Sequence, residues 1–169
     1  MKHSQMRKRR VIAALLTTCF LLQQSMIVPA MATEIGGGTA GWVTGVDGVY
    51  DINPTSKNGT IGFRQYEKFN LSSGDIANLI FRYGATDRGN IETFVNLVDS
   101  QININGIVNS MRGGNFYNGK AVFVSPNGMV VGASGVLNVG SLSVLTPTST
   151  SYESFKKSPN ADLSPLSTQ

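Results

Sequence analysis

The side chains that most often carry out enzyme chemistry are scarce in this sequence. His3 is the only histidine and Cys19 the only cysteine. Serine hydrolase triads, Cys-His pairs and His-based zinc sites all need an imidazole or a thiolate. Both residues lie in a segment that we expect to be removed on maturation, so the remaining chain would lack the groups for such sites and could form no disulfide.

Carboxylates are the other candidates for catalysis, because polysaccharide-cleaving enzymes use them in pairs. Such sites need two acids a few ångströms apart, often with a basic residue or calcium. The acids here occur singly, in segments interpreted as turns: Asp47, Asp51, Asp75, Asp87, Glu92 and Asp99. We therefore expect no enzyme activity, no catalytic residue, no metal site and no cofactor. A β-helical polysaccharide-active enzyme is the less favoured alternative.

Strands are the elements expected to position these side chains. The chain has 19 Gly and only 14% charged residues, which favours an all-β, turn-dense architecture. Apolar residues and asparagines alternate from Gln101 to Asn109, which predicts a strand with Ile102 and Ile104 on its buried face. Asn-rich turns that recur along the chain are typical of the stacked rungs of a parallel β-helix, where asparagines can form ladders. Further extended runs are predicted at Ile61–Leu71 and Ala121–Leu145. Ile76–Tyr83 fits a short helix or a buried strand by periodicity, and Phe81 and Tyr83 favour the strand.

The two ends of this region differ in composition. Trp42–Val46 and Val49–Ile52 are predicted to form two short strands joined by a tight hairpin turn at Asp47-Gly48, as part of an N-terminal β cap. The segment 148–169 is rich in Ser, Thr and Pro and is predicted to be a disordered or truncated end. The folded domain is therefore expected at 33–147.

The first 32 residues have the pattern of a secretory signal peptide. A basic stretch that includes Arg7–Arg10 precedes an apolar run, Val11–Leu22, and Ala30-Met31-Ala32 gives the small-x-small pattern of a cleavage site. Gln23 and Gln24 follow the apolar run, which is then too short to span a membrane. We predict export by the general secretory route and cleavage after Ala32.

Removal of this segment changes the charge of the protein. It takes five of the 14 Lys and Arg residues, which leaves nine basic and ten acidic side chains, a formal charge of −1 instead of +4. Binding to nucleic acid needs clustered basic residues. The predicted mature chain lacks such a cluster, so we expect no nucleic-acid partner.

Four motifs in order carry a resemblance to a known family. They are Asn58-Gly-Thr-Ile, then Gln65 to Leu71, then Gln101 to Ile107, then Val122 to Met129. Together they resemble the N-terminal secretion domain of two-partner-secretion exoproteins. This is the haemagglutination-activity domain of filamentous haemagglutinins and of related adhesins, haemolysins and leukotoxin-like proteins.

The most specific of these motifs is Asn-Pro-Asn-Gly followed by an aliphatic residue. The matching residues here are Pro126, Asn127, Gly128 and Met129, and Ser125 stands where the family has Asn. Serine can make the same side-chain-to-backbone contact in a turn. Tyr66, Phe69 and Asn70 belong to the second motif.

The resemblance implies a fold, a partner and a location. The fold is a right-handed parallel β-helix with an N-terminal cap and short antiparallel hairpins. The partner is an outer-membrane β-barrel transporter with periplasmic POTRA domains, which would recognise the chain after export to the periplasm. The protein would then be secreted or held at the bacterial cell surface, and in this family host surfaces or glycans are bound by a passenger downstream of the domain.

Two alternatives stay open from the sequence. Pro126-Asn127-Gly128 is also a sufficient structural β-turn, and aromatic residues such as Tyr66 and Phe69 are more often core residues than ligand platforms. A stand-alone secreted module that binds surfaces is the main alternative function.

Overall fold

The computed structural model describes residues 31–167, and strands dominate this range. They are β1 (Glu34–Gly36), β2 (Val49–Ile52), β3 (Ser56–Asn58), β4 (Ile61–Tyr66), β5 (Lys68–Leu71), β6 (Ile76–Ile80), β7 (Thr93–Val98), β8 (Ile102–Ile104), β9 (Ile107–Arg112), β10 (Asn115–Phe116), β11 (Lys120–Val124), β12 (Met129–Val131), β13 (Val136–Asn138) and β14 (Ser141–Leu145). Helix α1 spans Ser149–Lys157, and 3-10 turns lie at Gly38–Ala40, Asp87–Gly89 and Ser164–Leu166. The prediction of an all-β class is confirmed at this level.

The strands form three mixed sheets. Sheet A has the order β1-β5-β8-β12, sheet B has β10-β9-β6-β2 with β13 also paired to β9, and sheet C has β14-β11-β7-β4-β3. Only β1, β3 and β10 pair antiparallel to their neighbours, and the other pairs are parallel. The antiparallel strands thus lie at the edges of parallel sheets.

The chain visits the three sheets in turn and then returns to the first. It runs through β4, β5 and β6, then β7, β8 and β9, then β11, β12 and β13, which we call coils 1, 2 and 3. Equivalent residues of successive coils are register partners, as with Phe63, Val95 and Val122 in sheet C. Each coil therefore covers the one before it.

The main apolar core lies between the three sheets. Alternation along each strand sends every second side chain inward, and Ile102 and Ile104 are fully buried as predicted. Aromatic side chains of different coils pack edge to face, with ring centroids of Phe69 and Phe123 separated by 5.3 Å. The strand prediction for residues 76–83 is confirmed over β6.

The N-terminal hairpin forms only in part. Val46 and Val49 pair across a tight turn in which Asp47 and Gly48 have positive φ of 52° and 77°, as the Asp-Gly pair predicts. The predicted strand over residues 42–46 is wrong, because the Val43 amide donates to the Ile35 carbonyl at 2.8 Å instead of entering a hairpin ladder. The N-terminal cap is made instead by β1, which pairs antiparallel with β5.

The expectation of disorder after residue 147 is wrong for the described residues 148–167. The Thr148 side chain caps α1 by accepting a hydrogen bond from the Ser151 amide at 3.2 Å. Tyr152, Phe155 and Leu166 are buried in a second apolar cluster on the outer face of sheet C. A nine-residue helix is not stable by itself. The burial of these three side chains therefore explains why the segment is folded although most of its residues are polar.

The predicted signal peptide falls mostly outside the described range. Residues 1–30 are not described, and the predicted cleavage residue Ala32 is exposed. Within residues 31–167 no helix has the length and apolar character needed to cross a membrane.

Candidate functional site at one corner of the coils

The Ser125–Met129 motif forms the turn between β11 and β12. The Gly128 amide donates to the Ser125 carbonyl at 3.1 Å, and Gly128 has a φ of +76°, which a residue with a side chain adopts with strain. The Ser125 hydroxyl accepts from the Asn127 amide at 3.0 Å. Serine therefore makes the side-chain-to-backbone contact expected at this position, and Met129 begins β12.

This turn lies directly on the turn of the preceding coil. The Ser125 hydroxyl donates to the Ser100 carbonyl at 2.8 Å, and the Asn127 carboxamide donates to the Asp99 carbonyl, also at 2.8 Å. The Ile102 amide donates to the Gly128 carbonyl at 3.0 Å. Ser125 is buried by these contacts, whereas Asn127 stays exposed.

The second motif lies at the same corner, one coil further down. The Asp99 amide donates to the Tyr66 carbonyl at 3.0 Å, and the Ser100 amide donates to the Glu67 carbonyl at 3.2 Å. Three turns are thus stacked by hydrogen bonds, and we call Glu67, Asp99–Gln101 and Ser125–Gly128 the corner stack. The tertiary structure brings together two motifs that lie more than 50 residues apart in the chain.

Of the second-motif side chains, Tyr66 and Phe69 are buried and Asn70 is half-buried. The Tyr66 hydroxyl donates to Asn96 Oδ1 at 2.7 Å, and both side chains are buried. Burial raises the pKa of Tyr66 far above its ordinary value, more than the nearby Arg64 lowers it. Phe69 packs edge to face on Tyr66 at 5.4 Å, and Asn70 Oδ1 accepts from Asn103 Nδ2 at 2.9 Å. Tyr66 and Phe69 are therefore core residues and not a ligand platform, and Asn70 joins two coils through its bond to Asn103.

Helix α1 is bound to the same corner. Asp99 Oδ1 accepts from the Tyr152 hydroxyl at 2.9 Å and from Lys156 Nζ at 2.7 Å, and Gln65 Nε2 donates to the Lys156 carbonyl at 2.9 Å. Burial, reinforced by the Asp99 carboxylate, raises the pKa of Tyr152 far above its ordinary value. Burial acts to lower the pKa of Lys156, but hydrogen bonds to Asp99 and Glu153 raise it overall.

Asparagines and one aspartate form a ladder on sheet B. Asn78 donates to Asp51, Asn109 donates to Asn78 and Asn138 donates to Asn109, with distances of 2.9, 3.1 and 3.1 Å. The members of each pair are register partners in adjacent strands. The predicted laddering of asparagines is confirmed here and for Asn70 with Asn103.

Sequence reasoning missed the residues that connect these features. The role of Asn96 cannot be predicted from the sequence, because one asparagine inside an apolar strand does not show which hydroxyl donates a hydrogen bond to it. In the sequence Asp99 is one of several single acids, and Tyr152 and Lys156 lie in the segment predicted to be disordered. A helical spacing of Tyr152, Phe155 and Lys156 behind the capping residue Thr148 was the available signal.

The corner stack can form hydrogen bonds and shape-complementary contacts, and its residues include no nucleophile paired with a base. Its exposed groups are the carboxylates of Glu67 and Asp99 and the carboxamides of Gln101 and Asn127, which suits the recognition of another polypeptide. Residues 31–167 contain no group of three or more His, Cys, Asp or Glu side chains that could hold a metal ion.

No family model, no curated protein and no solved structure matches this chain.

Proposed function

We propose that this chain is the secretion domain of a two-partner-secretion exoprotein and that it folds as a right-handed parallel β-helix. The observation that carries the proposal is the corner stack, in which two resemblance motifs from distant parts of the chain support one exposed turn. The second motif supports the Asp99–Gln101 turn, and that turn supports the turn that carries Ser125–Gly128. The second motif positions the turn and the turn presents the exposed groups, so that both would serve recognition by a transporter.

The order of the strands supports the β-helix. Coils 1 to 3 repeat the same path from sheet C to sheet A to sheet B, with parallel pairing between coils. Parallel strands joined by crossovers are almost always right-handed. Such a fold suits export through a narrow barrel, because each coil contacts only its neighbours and can fold as it emerges.

The last strands offer edges for strand addition. In the described chain β12, β13 and β14 each lack a neighbour on one side. None of their residues is charged, and Val130, Leu142 and Val144 are exposed. Natural edge strands are usually protected by charges, proline or bulges, so these open edges suit pairing with a strand of a POTRA domain.

A secretion assay with two matched asparagine variants tests the proposal. The full chain is expressed in a Gram-negative host with and without a candidate POTRA-barrel transporter, and periplasm and medium are compared. We expect transporter-dependent release of the wild type, retention in the periplasm on deletion of Ser125–Met129, and release reduced about tenfold or more by Asn127→Ala.

Asn138→Ala is the control, because Asn127 and Asn138 are both exposed and each side chain donates one hydrogen bond to the coil below. The two variants should lose similar stability, about 1 kcal/mol, and differ in release. Equal release of the two variants, or unimpaired release of the deletion variant, contradicts a recognition role for the corner stack.

A further inference from the structure

A buried arginine without an ion-pair partner in the described chain contacts the segment that follows β1. Arg64 has only 8% of its surface exposed. No carboxylate of residues 31–167 forms an ion pair with it. Buried charges in proteins are normally paired or bound to a ligand of opposite charge. The positive charge of this guanidinium must therefore be stabilised by other groups.

Backbone carbonyls supply part of that compensation. Nη1 donates to the Asn53 carbonyl at 3.2 Å, and Nη2 donates to the Ala40 and Gly41 carbonyls at 3.2 and 3.3 Å. The Tyr66 ring lies 5.6 Å from the guanidinium carbon. These contacts use three of the five N–H donors, and the buried Nε has no hydrogen-bond partner in the described chain. Carbonyl dipoles and one ring do not neutralise a full charge.

A cavity of about 360 Å³ adjoins this arginine. It is lined by Thr39, Ala40, Thr55, Ser56, Phe63, Arg64 and Gln65. The Thr55 hydroxyl donates to the Phe63 carbonyl at 3.3 Å, while the hydroxyls of Thr39 and Ser56 make no hydrogen bond to another described residue. Among the described residues the lining therefore combines one cation, two hydroxyl groups that bind no other described residue, and no acid.

We propose that this cavity binds a singly charged carboxylate, held by Arg64 and by the hydroxyls of Thr39 and Ser56. One buried positive charge matches one negative charge, whereas a dianion would bring an unpaired charge into a partly desolvated site. Charge-assisted hydrogen bonds from a guanidinium to a carboxylate are the strong ones in proteins. The site is separate from the corner stack and does not depend on the proposed secretion role.

Trp42 provides a direct readout of binding. It is the only tryptophan of the chain, it is exposed, and it follows Gly41, whose carbonyl accepts from Arg64. A carboxylate that binds Arg64 competes with the Ala40 and Gly41 carbonyls and shifts the environment of the indole. We expect a saturable change in Trp42 fluorescence with acetate or glucuronate at constant ionic strength, with a Kd on the order of 1 mM. A higher melting temperature in the same solutions is expected as well.

Three comparisons separate a site from a general salt effect. Sulfate, a dianion, should bind more weakly than acetate. A short glycine peptide with a free terminal carboxylate should bind and its amidated form should not, which distinguishes a polypeptide source from a small-molecule one. Tighter binding of sulfate, or equal binding of the amidated peptide, contradicts the proposed carboxylate site.

Variants assign the response to Arg64. Arg64→Gln should abolish the fluorescence change, while Arg112→Gln should retain it. Arg112 is a matched control because it also donates to backbone carbonyls, those of Phe81 and Ile91, and stacks on an aromatic ring, that of Tyr117. An unchanged response in Arg64→Gln overturns the proposal.

A second pair of variants covers the case in which Arg64→Gln fails to fold. Arg64→Lys keeps the charge, and Ser56→Ala alters an exposed residue that the fold does not need. Each should weaken acetate binding several-fold without preventing folding. Wild-type affinity in both variants, or no saturable response of the wild-type protein to any carboxylate, overturns the proposal.

Discussion

The hydrogen bond between Tyr66 and Asn96 tests whether the second motif acts through the core. In the variant Tyr66→Phe the ring is kept and only the hydroxyl group is removed. Tyr66 and Asn96 are 1% and 0% exposed, and their hydrogen bond measures 2.7 Å. The Asn96 carboxamide nitrogen is bound to the carbonyls of Phe94 and Val122 at 3.2 and 3.3 Å, so the group cannot rotate to a new partner without losing these bonds.

The expected cost follows from this geometry. A buried acceptor left without a donor costs about 1–3 kcal/mol, and the cavity left by one oxygen adds little because it is smaller than a methyl group. We expect the free energy of unfolding to fall by about 2 kcal/mol. Urea denaturation followed by far-ultraviolet circular dichroism measures this value, and the slope with denaturant should stay unchanged.

Two further variants make the test specific. Tyr152→Phe removes a hydroxyl whose acceptor, Asp99, is partly exposed and keeps its bond to Lys156, so it should cost less than Tyr66→Phe. The double variant Tyr66→Phe with Asn96→Leu should cost less than the sum of its parts by at least about 0.5 kcal/mol. A loss below about 0.5 kcal/mol for Tyr66→Phe, or strict additivity, would refute the role given to this pair.

Three other predictions concern the helix, the pH dependence and the ladder. Phe155→Ala should cost about 3 kcal/mol and speed hydrogen exchange in α1 more than in the sheets, whereas unchanged exchange would mean that the helix does not depend on this side chain. Burial raises the pKa of Tyr66 and of Tyr152 above the unfolded value near 10. Below pH 10 both hydroxyls are protonated in the folded and in the unfolded chain, so the free energy of unfolding does not depend on them. Above pH 10 the free energy of unfolding should fall by about 1.4 kcal/mol per pH unit and per tyrosine, because only the unfolded chain loses these protons. The fall should be smaller in Tyr66→Phe. A flat profile in urea denaturation up to pH 11.5 would contradict this. Asn109→Ala removes two ladder bonds and Asn138→Ala removes one, so the first should lower the urea midpoint about twice as much, and equal shifts would show that the ladder adds no stability.

The corner stack was only half visible from the sequence. The Pro126-Asn127-Gly128 turn is encoded locally, since proline fixes φ and glycine permits the positive φ that the turn needs. The support of that turn by Asp99 and Ser100 depends on how one coil lies on the next. Residues about 25 positions apart meet there because each coil has a particular length, and no local pattern reports that length.

The sequence by itself determined the class of fold and its repeating units. Alternating apolar and polar residues specify which face of each strand is buried, and Asn-Gly and Asp-Gly pairs specify where turns occur. These are local properties, and the structure agrees with them at β6, β8 and the turn at Asp47-Gly48. The tertiary structure alone decided that α1 is folded, that Arg64 is buried, and that Tyr66 donates a hydrogen bond to Asn96. Each of these depends on a partner surface from another part of the chain, because the energy of burial and pairing belongs to the contact and not to either segment.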